Sequence, residues 1–260
     1  MPLRIGFDMD GVLADFAQAF HAVELRLFGP GPELSPGQPE KEEAEQAAAE
    51  EAAAADGAAG EPPAPGAEAG TKSSSVEDFH TARKAARELR RRRDAIWTAI
   101  QKTPDFWMTL KPMEDGAVRR IHALMLQHRW EVFFITQRPA TDGDTVQRQT
   151  QQWLVKEGFD LPSVLVLGGS RGAAAGALRL TYHVDDSAQN CLDIISDSRA
   201  KPILIVPDND AATIASARKL GIGTAQSLSE CLDVLEKATL ARTQPGLLER
   251  IATLVGWTRK

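Results

Sequence analysis

The sequence predicts an α/β protein: a doubly wound parallel sheet with a helical insertion after its first strand. Three observations predict it. The chain opens on a short apolar run, Leu3 to Phe7, which reads as a buried strand and ends in two aspartates, Asp8 and Asp10. From Gly116 onward, apolar runs of strand length alternate with segments of helical period, as in a sheet covered on both faces. Between the two lies a long stretch too poor in large apolar residues to belong to a sheet.

The elements follow in chain order. Gly11 comes directly after the first strand, where the backbone must turn sharply or pass close to a ligand. Phe16, Phe20, Val23 and Leu27 recur at helical spacing, giving a helix over 15–28 with one apolar stripe. Residues 35 to 75 are rich in Ala, Glu, Pro and Gly, and are expected to form a loop without a docked face. Its part from Lys41 to Ala55 has helical propensity but no apolar side. Order resumes at Ser75-Val-Glu-Asp78, a capping-box-like start to a helix reaching about Gln101. Val76, Phe79, Ala82, Ala86, Leu89, Ile96 and Ile100 lie on one side of that helix. Arg83, Lys84, Arg87 and Arg90 to Arg93 lie on the other.

The alternation then predicts helices at 117–128, 144–157, 171–178, 187–196, 211–220 and 229–238, and strands at 131–136, 163–167, 181–185, 202–206 and 223–225. Leu247, Leu248, Ile251, Leu254 and Val255 mark an amphipathic tail helix, docking on the core or on a second subunit of a homodimer. The domains expected are a core of 1–15 and 112–242, an insertion of 16–111 containing the acidic loop, and a tail of 243–260.

Composition bounds the function. The chain has 260 residues, 43% hydrophobic and 25% charged, within the range of globular domains. Net charge is −6, yet residues 35–75 carry nine acidic and two basic side chains, so the rest of the chain is close to neutral. That balance disfavours nucleic acid as the partner; the basic helix face reads as solvated surface, or as a field drawing in an anionic substrate. Cys191 and Cys231 have neither a metal nor a redox spacing, and are expected as reduced core thiols. No run of about 18 apolar residues is present to span a bilayer. Cleaving a signal peptide would remove the first strand, so the expectation is a cytoplasmic protein that does not engage membranes.

Three strand ends carry polar groups. The first is Asp8 with Asp10. The second is EVFFIT, ending in Thr136 and followed by Gln137, Arg138 and Pro139. The third is TYHVDD, ending in Asp185 and Asp186. In an open α/β sheet, carboxyl ends of strands open onto the ligand crevice. Carboxylates gathered there are costly without a cation, and an oxygen-ligand ion such as Mg²⁺ suits them.

Together DMDGVLADF, the aromatic pair before a Leu-x-Pro segment (FWMTLKP), the VFFIT strand and the DD strand end resemble the haloacid dehalogenase (HAD) phosphohydrolase superfamily, and within it the 5′(3′)-deoxyribonucleotidase branch. The resemblance covers about Pro2 to Phe28 and Pro104 to Asn190. It implies a Rossmann-like core with a helical cap formed by the insertion. It also implies a Mg²⁺-dependent phosphomonoesterase working through an aspartyl-phosphate. Asp8 would be the nucleophile and Asp10 the general acid and base. Thr136 would bond a phosphoryl oxygen. Asp8, the Asp10 carbonyl and the pair Asp185–Asp186 would hold the metal, with Asp186 favoured as the direct ligand. Phe106 and Trp107 would pack on a nucleobase, with Gln137 and Arg138 near the substrate. The substrate implied is a small phosphorylated metabolite, a nucleoside monophosphate first of all. A sugar or other metabolite phosphate keeps the same chemistry.

The chain departs from the family at one position. The family has a lysine upstream of the DD strand, and between Glu157 and Asp185 this chain has none. Arg171, at the start of a helix, is the better placed of the two arginines there, the other being Arg179. Because arginine keeps the charge and not the geometry of lysine, a weakly active binding or regulatory protein on the same scaffold is the rival expectation.

Overall fold

A computed structural model of the protein describes residues 2–31, 34–36 and 73–242, with 73–82 as helical backbone alone. The expected acidic loop lies almost wholly outside the described residues, and the expected tail helix entirely so. The elements run β1 (Arg4–Asp8), α1 (Phe16–Phe28), α2 (Ser73–Gln101), a 3₁₀ turn (Phe106–Met108), α3 (Ala117–His128), β2 (Glu131–Thr136), α4 (Val146–Lys156), β3 (Val164–Val166), α5 (Arg171–Ala177), β4 (Tyr182–Asp185), α6 (Ala188–Asp197), β5 (Lys201–Ile205), α7 (Ala211–Lys219), β6 (Gly223–Ala225) and α8 (Leu228–Ala241). The expected α3, β2 and β6 match to the residue; the other elements differ at one or both ends, by no more than three residues.

The six strands are parallel and ordered β3-β2-β1-β4-β5-β6, the doubly wound order. Chain order reverses between β1 and β4, the topological switch point where ligands bind in open sheets. Register does the rest. Asp8 pairs with Ile135, one residue before Thr136, and Phe7 pairs with Val184, one residue before Asp185. Three polar strand ends therefore emerge side by side.

Strands buried on both faces explain the runs of apolar sequence. Ile135 packs with Ala175, Leu180, Ile194 and Ala200 under α5 and α6, while Phe134 meets Phe7 and, edge-on at 4.8 Å, Phe159 on the opposite face. Cys191 and Cys231 are free and buried, as expected.

The chain divides into two compact units, Met1–Ala19 with Gln101–Lys260, and Phe20–Ile100. Inside the second unit, Phe20 meets Trp97 edge-on at 5.9 Å, and the buried Glu24 pairs with Arg92 at 3.3 Å and His21 at 3.2 Å. Among the described side chains of α2, its apolar spacing buries Ile96, Trp97 and Ile100, whereas Ala86 and Leu89, expected on the same side, are exposed; Val76, Phe79 and Ala82 lie outside the described side chains. Arg83, Lys84, Arg87, Arg90 and Arg91 are exposed too.

Candidate active site

The turn after β1 sets the first two carboxylates. The Met9 carbonyl accepts from the amides of both Leu13 (2.9 Å) and Ala14 (2.8 Å), and Gly11 donates to the Ala14 carbonyl at 3.0 Å. Closing so tight a loop puts Gly11 at φ 78°, and the Asp186 carboxylate lies where a Cβ at Gly11 would stand. Gly11 thus makes the sharp turn its place suggested, and the group that approaches it closely is the Asp186 side chain. Asp15 then caps α1, accepting from the Gln18 amide at 2.9 Å.

Asp8 is 3% exposed, and its Oδ1 lies 2.6 Å from Nη2 of Arg171, itself 4% exposed. Arg171 is brought there by α5, whose N-cap Ser170 accepts from the Ala173 amide at 3.2 Å. Its Nη1 donates to the Ile135 carbonyl at 3.2 Å, and its Nε stands 3.5 Å from Asp185. Arg171, the arginine expected in place of the missing lysine, thus lies beside Asp8, whereas Arg179 is exposed.

Asp185 is fully buried and its oxygens are spoken for. Oδ1 accepts from the Ser187 amide (2.9 Å) and from Asn190 Nδ2 (3.0 Å), and Oδ2 faces His183 Nε2 at 3.0 Å. Burial pushes its carboxyl up, but these bonds and Arg171 outweigh burial and hold it below the usual range. Asp186 reaches solvent and is free of that network. Its carboxyl is pushed up to about 7, first by its desolvating surroundings and then by Asp185 and Asp10. Asp8 is likewise raised well above the usual range by burial, against the opposing charge of Arg171.

Asp10 is placed differently. Arg138 grips it with both prongs, Nε to Oδ2 at 2.9 Å and Nη2 to Oδ1 at 2.7 Å. Arg138 is buried, so its expected role as a substrate contact is corrected: each guanidinium nitrogen is committed inside the protein. Phe106 and Trp107 are corrected with it. They are 4% and 1% exposed, packed on each other and on Phe16, and leave no aromatic face for a base. Trp107 stacks instead on Arg138, whose guanidinium carbon is 4.7 Å from the ring centre. Gln137 is half-buried beside Thr136.

Metal fit is decided by charge and by orphaned atoms. Ligand atoms of Asp8, Asp185 and Asp186 lie within 4.8 Å of one another. With Asp10, four carboxylates face two guanidiniums, leaving two negative formal charges, those of one divalent cation. Among the described residues, Asp8 Oδ1, Thr136 Oγ1 and Arg171 Nε are buried without an aligned hydrogen-bond partner, so the Arg171–Asp8 contact is electrostatic. Such groups are costly to leave unmet. A cation satisfies the carboxylate, and a phosphoryl group satisfies the hydroxyl and the guanidinium. The residues fit Mg²⁺.

Sequence reasoning missed His183, Thr150 and Gly172. His183 had a signal, because it sits two residues before Asp185 on a strand and so shares its face. Its ring lies over Gly6, where a Cβ would overlap Nδ1.

No protein-family model matches the chain, and no curated protein matches it. Among solved structures, it is similar to a HAD hydrolase of family IA, variant 3, from Entamoeba histolytica HM-1:IMSS, at 16% identity and a TM-score of 0.41, over 96% of this chain and 99% of that one. It is similar also to a 2-haloacid dehalogenase from Pseudomonas syringae pv. Tomato DC3000, at 16% identity and a TM-score of 0.41, over 94% and 100%. At those values neither likeness carries weight, and the α/β assignment rests on the strand order and register of the chain itself.

Proposed function

We propose that the chain is a HAD-type, Mg²⁺-dependent phosphomonoester hydrolase. The observation that carries the reading is the buried Asp8 at the switch point. It faces a cation on one side and the Asp185–Asp186 pair on the other, with an unpartnered Thr136 hydroxyl on the neighbouring strand. A phosphate drawn in by Arg171 and Thr136 is attacked at phosphorus by Asp8. Asp10 gives its proton to the leaving oxygen and later takes one from the water that hydrolyses the aspartyl-phosphate. Asp8 and Asp186 would hold Mg²⁺, beside the buried Asp185, and the ion would offset the repulsion between anionic nucleophile and anionic phosphate. Asp10 favours ester hydrolysis over dehalogenation, which needs no proton donor of that kind.

For the leaving group, the sequence resemblance favours a nucleoside 5′-monophosphate. The burial of Phe106 and Trp107 favours instead a sugar or other small metabolite phosphate, because neither of these two rings is open to stack on a base. A panel of nucleotides and sugar phosphates, assayed for phosphate release with Mg²⁺ and with EDTA, separates the two. Asp8→Asn is expected to abolish release while folding normally, and an acid-stable, base-labile phosphoenzyme is expected in the parent chain only. Release by Asp8→Asn at the parent rate would sink the reading.

A further inference from the structure

The site contains a second buried arginine that the proposed chemistry does not use. Arg138 follows β2, and three contacts fix its side chain. Its face lies on Trp107, its Nη1 donates to Thr150 Oγ1 at 3.1 Å, and its Nε and Nη2 fork onto Asp10. Those contacts are themselves anchored. Thr150 is fully buried on α4, and the preceding residue, Gln149, accepts the Trp107 amide at 3.1 Å. The Trp107 indole donates to the Pro139 carbonyl at 3.0 Å. A side chain so closely held passes its own fixed position on to whatever it grips.

We infer that Arg138 is the positioning residue that aims Asp10 and decides which of its oxygens handles the proton. The inference rests on the hydrolase reading above. Oδ1 of Asp10 accepts from two Arg138 nitrogens, Nη2 at 2.7 Å and Nε at 3.1 Å; Oδ2 accepts only from Nε, at 2.9 Å. A carboxylate oxygen has two lone pairs. Both on Oδ1 are engaged, and one on Oδ2 is open. Oδ2 is therefore the oxygen left open to exchange a proton with the substrate. In the first half-reaction the Asp8–phosphorus bond forms and the ester P–O bond breaks. The Oδ2 proton passes to the departing oxygen, leaving Asp10 ionised. In the second, Oδ2 takes a proton from water as its oxygen attacks phosphorus, the Asp8–phosphorus bond breaks, and phosphate leaves with Asp10 re-protonated. The fork on Oδ1 stays intact throughout, so the carboxyl does not rotate between the halves.

Proton donation matters most when the departing oxygen is a poor leaving group, and this gives a readout that loss of packing alone would not move. Turnover of an alkyl phosphate and of p-nitrophenyl phosphate is measured for the parent, Arg138→Gln, Arg138→Lys, Thr150→Val, Asp10→Asn and Asp10→Asn/Arg138→Gln, with folding followed by thermal melting. Arg138→Gln is expected to lose about a hundredfold on the alkyl ester and less than about tenfold on the aryl ester, the size of a general-acid effect. Arg138→Lys is expected to recover part of the alkyl rate. Thr150→Val keeps the volume and the Asp10 fork, and is expected to show the same selectivity more weakly; it carries the test if Arg138→Gln fails to fold. Adding Arg138→Gln to Asp10→Asn is expected to change nothing further. Equal losses on both esters, or an additive double variant, would overturn the role. A parent chain that hydrolyses neither ester would overturn the hydrolase reading itself, and this role with it.

Discussion

Arg171 stands where the family resemblance leads one to expect lysine, and the exchange changes what the position does. A lysine is a point charge, whereas the planar guanidinium reaches the Ile135 carbonyl, Asp8 and Asp185 together. Burial lowers its affinity for a proton, but the surrounding carboxylates more than restore it, so the charge is fixed. Arg171→Ala is expected to cut turnover by about a hundredfold or more, the size of losing a donor aimed at developing charge. Arg171→Lys is expected to retain more activity than the alanine variant, and Arg179→Ala all of it. Steady-state kinetics on the best substrate decide this, and an active Arg171→Ala would remove the residue from the site. At this scale the sequence was legible wherever a polar residue ended an apolar strand: Asp8, Thr136, Asp185 and Asp186. It was misleading for Arg138, Phe106 and Trp107. A pattern of residue types does not say whether an aromatic face stacks on a ligand or on an internal cation.

One glycine shows how an element delivers its residue. Gly172 lies at the start of α5, and a Cβ there would collide with the Asp193 carbonyl of α6. The two helices touch backbone to backbone at this point, and their approach carries Arg171, the next residue back, inward to Asp8. Gly172→Ala forces them apart. The expected cost is about 1–3 kcal/mol of stability and a fall in turnover on the order of a hundredfold from a misplaced Arg171. Melting temperature and turnover number, measured together, test it; a lowered melting point with parental turnover would show that α5 relaxes without moving the arginine. Element boundaries from α3 to α8 were readable because caps and strand lengths agree locally, as at Ser187, which accepts the Asn190 amide, and Asp210, which accepts those of Ala212 and Thr213. Helix α2 was readable only in part. Its apolar spacing continues over Ala86 and Leu89, but burial depends on what packs there, and periodicity does not report that.

For the molecule as a whole, the acidic site ties stability to pH and to metal. Asp186 is raised to about 7 from an ordinary value near 4, and Asp8 is raised also. A carboxyl raised by folding binds its proton more tightly in the folded state than in the unfolded one. Stability must therefore fall as pH rises through the interval between the two values. Asp185, lowered by His183 and Arg171, works in the opposite direction, but only at more acidic pH. Metal-free protein is thus expected to melt at a lower temperature at pH 8 than at pH 5.5. Mg²⁺ is expected to reverse this, because an ion bound to the ionised carboxylates of the folded state alone stabilises in proportion to the logarithm of its concentration over Kd. The stabilisation is expected to be several times larger at pH 8 than at pH 5.5, where Asp186 must first give up its proton, and to be lost with EDTA. The same series on Asp186→Asn should show a flattened pH dependence and a weak response to Mg²⁺, while KCl at equal ionic strength should not substitute for the divalent ion. Melting curves with equal Mg²⁺ shifts at both pH values would mean that the ion binds away from the Asp8, Asp185 and Asp186 cluster.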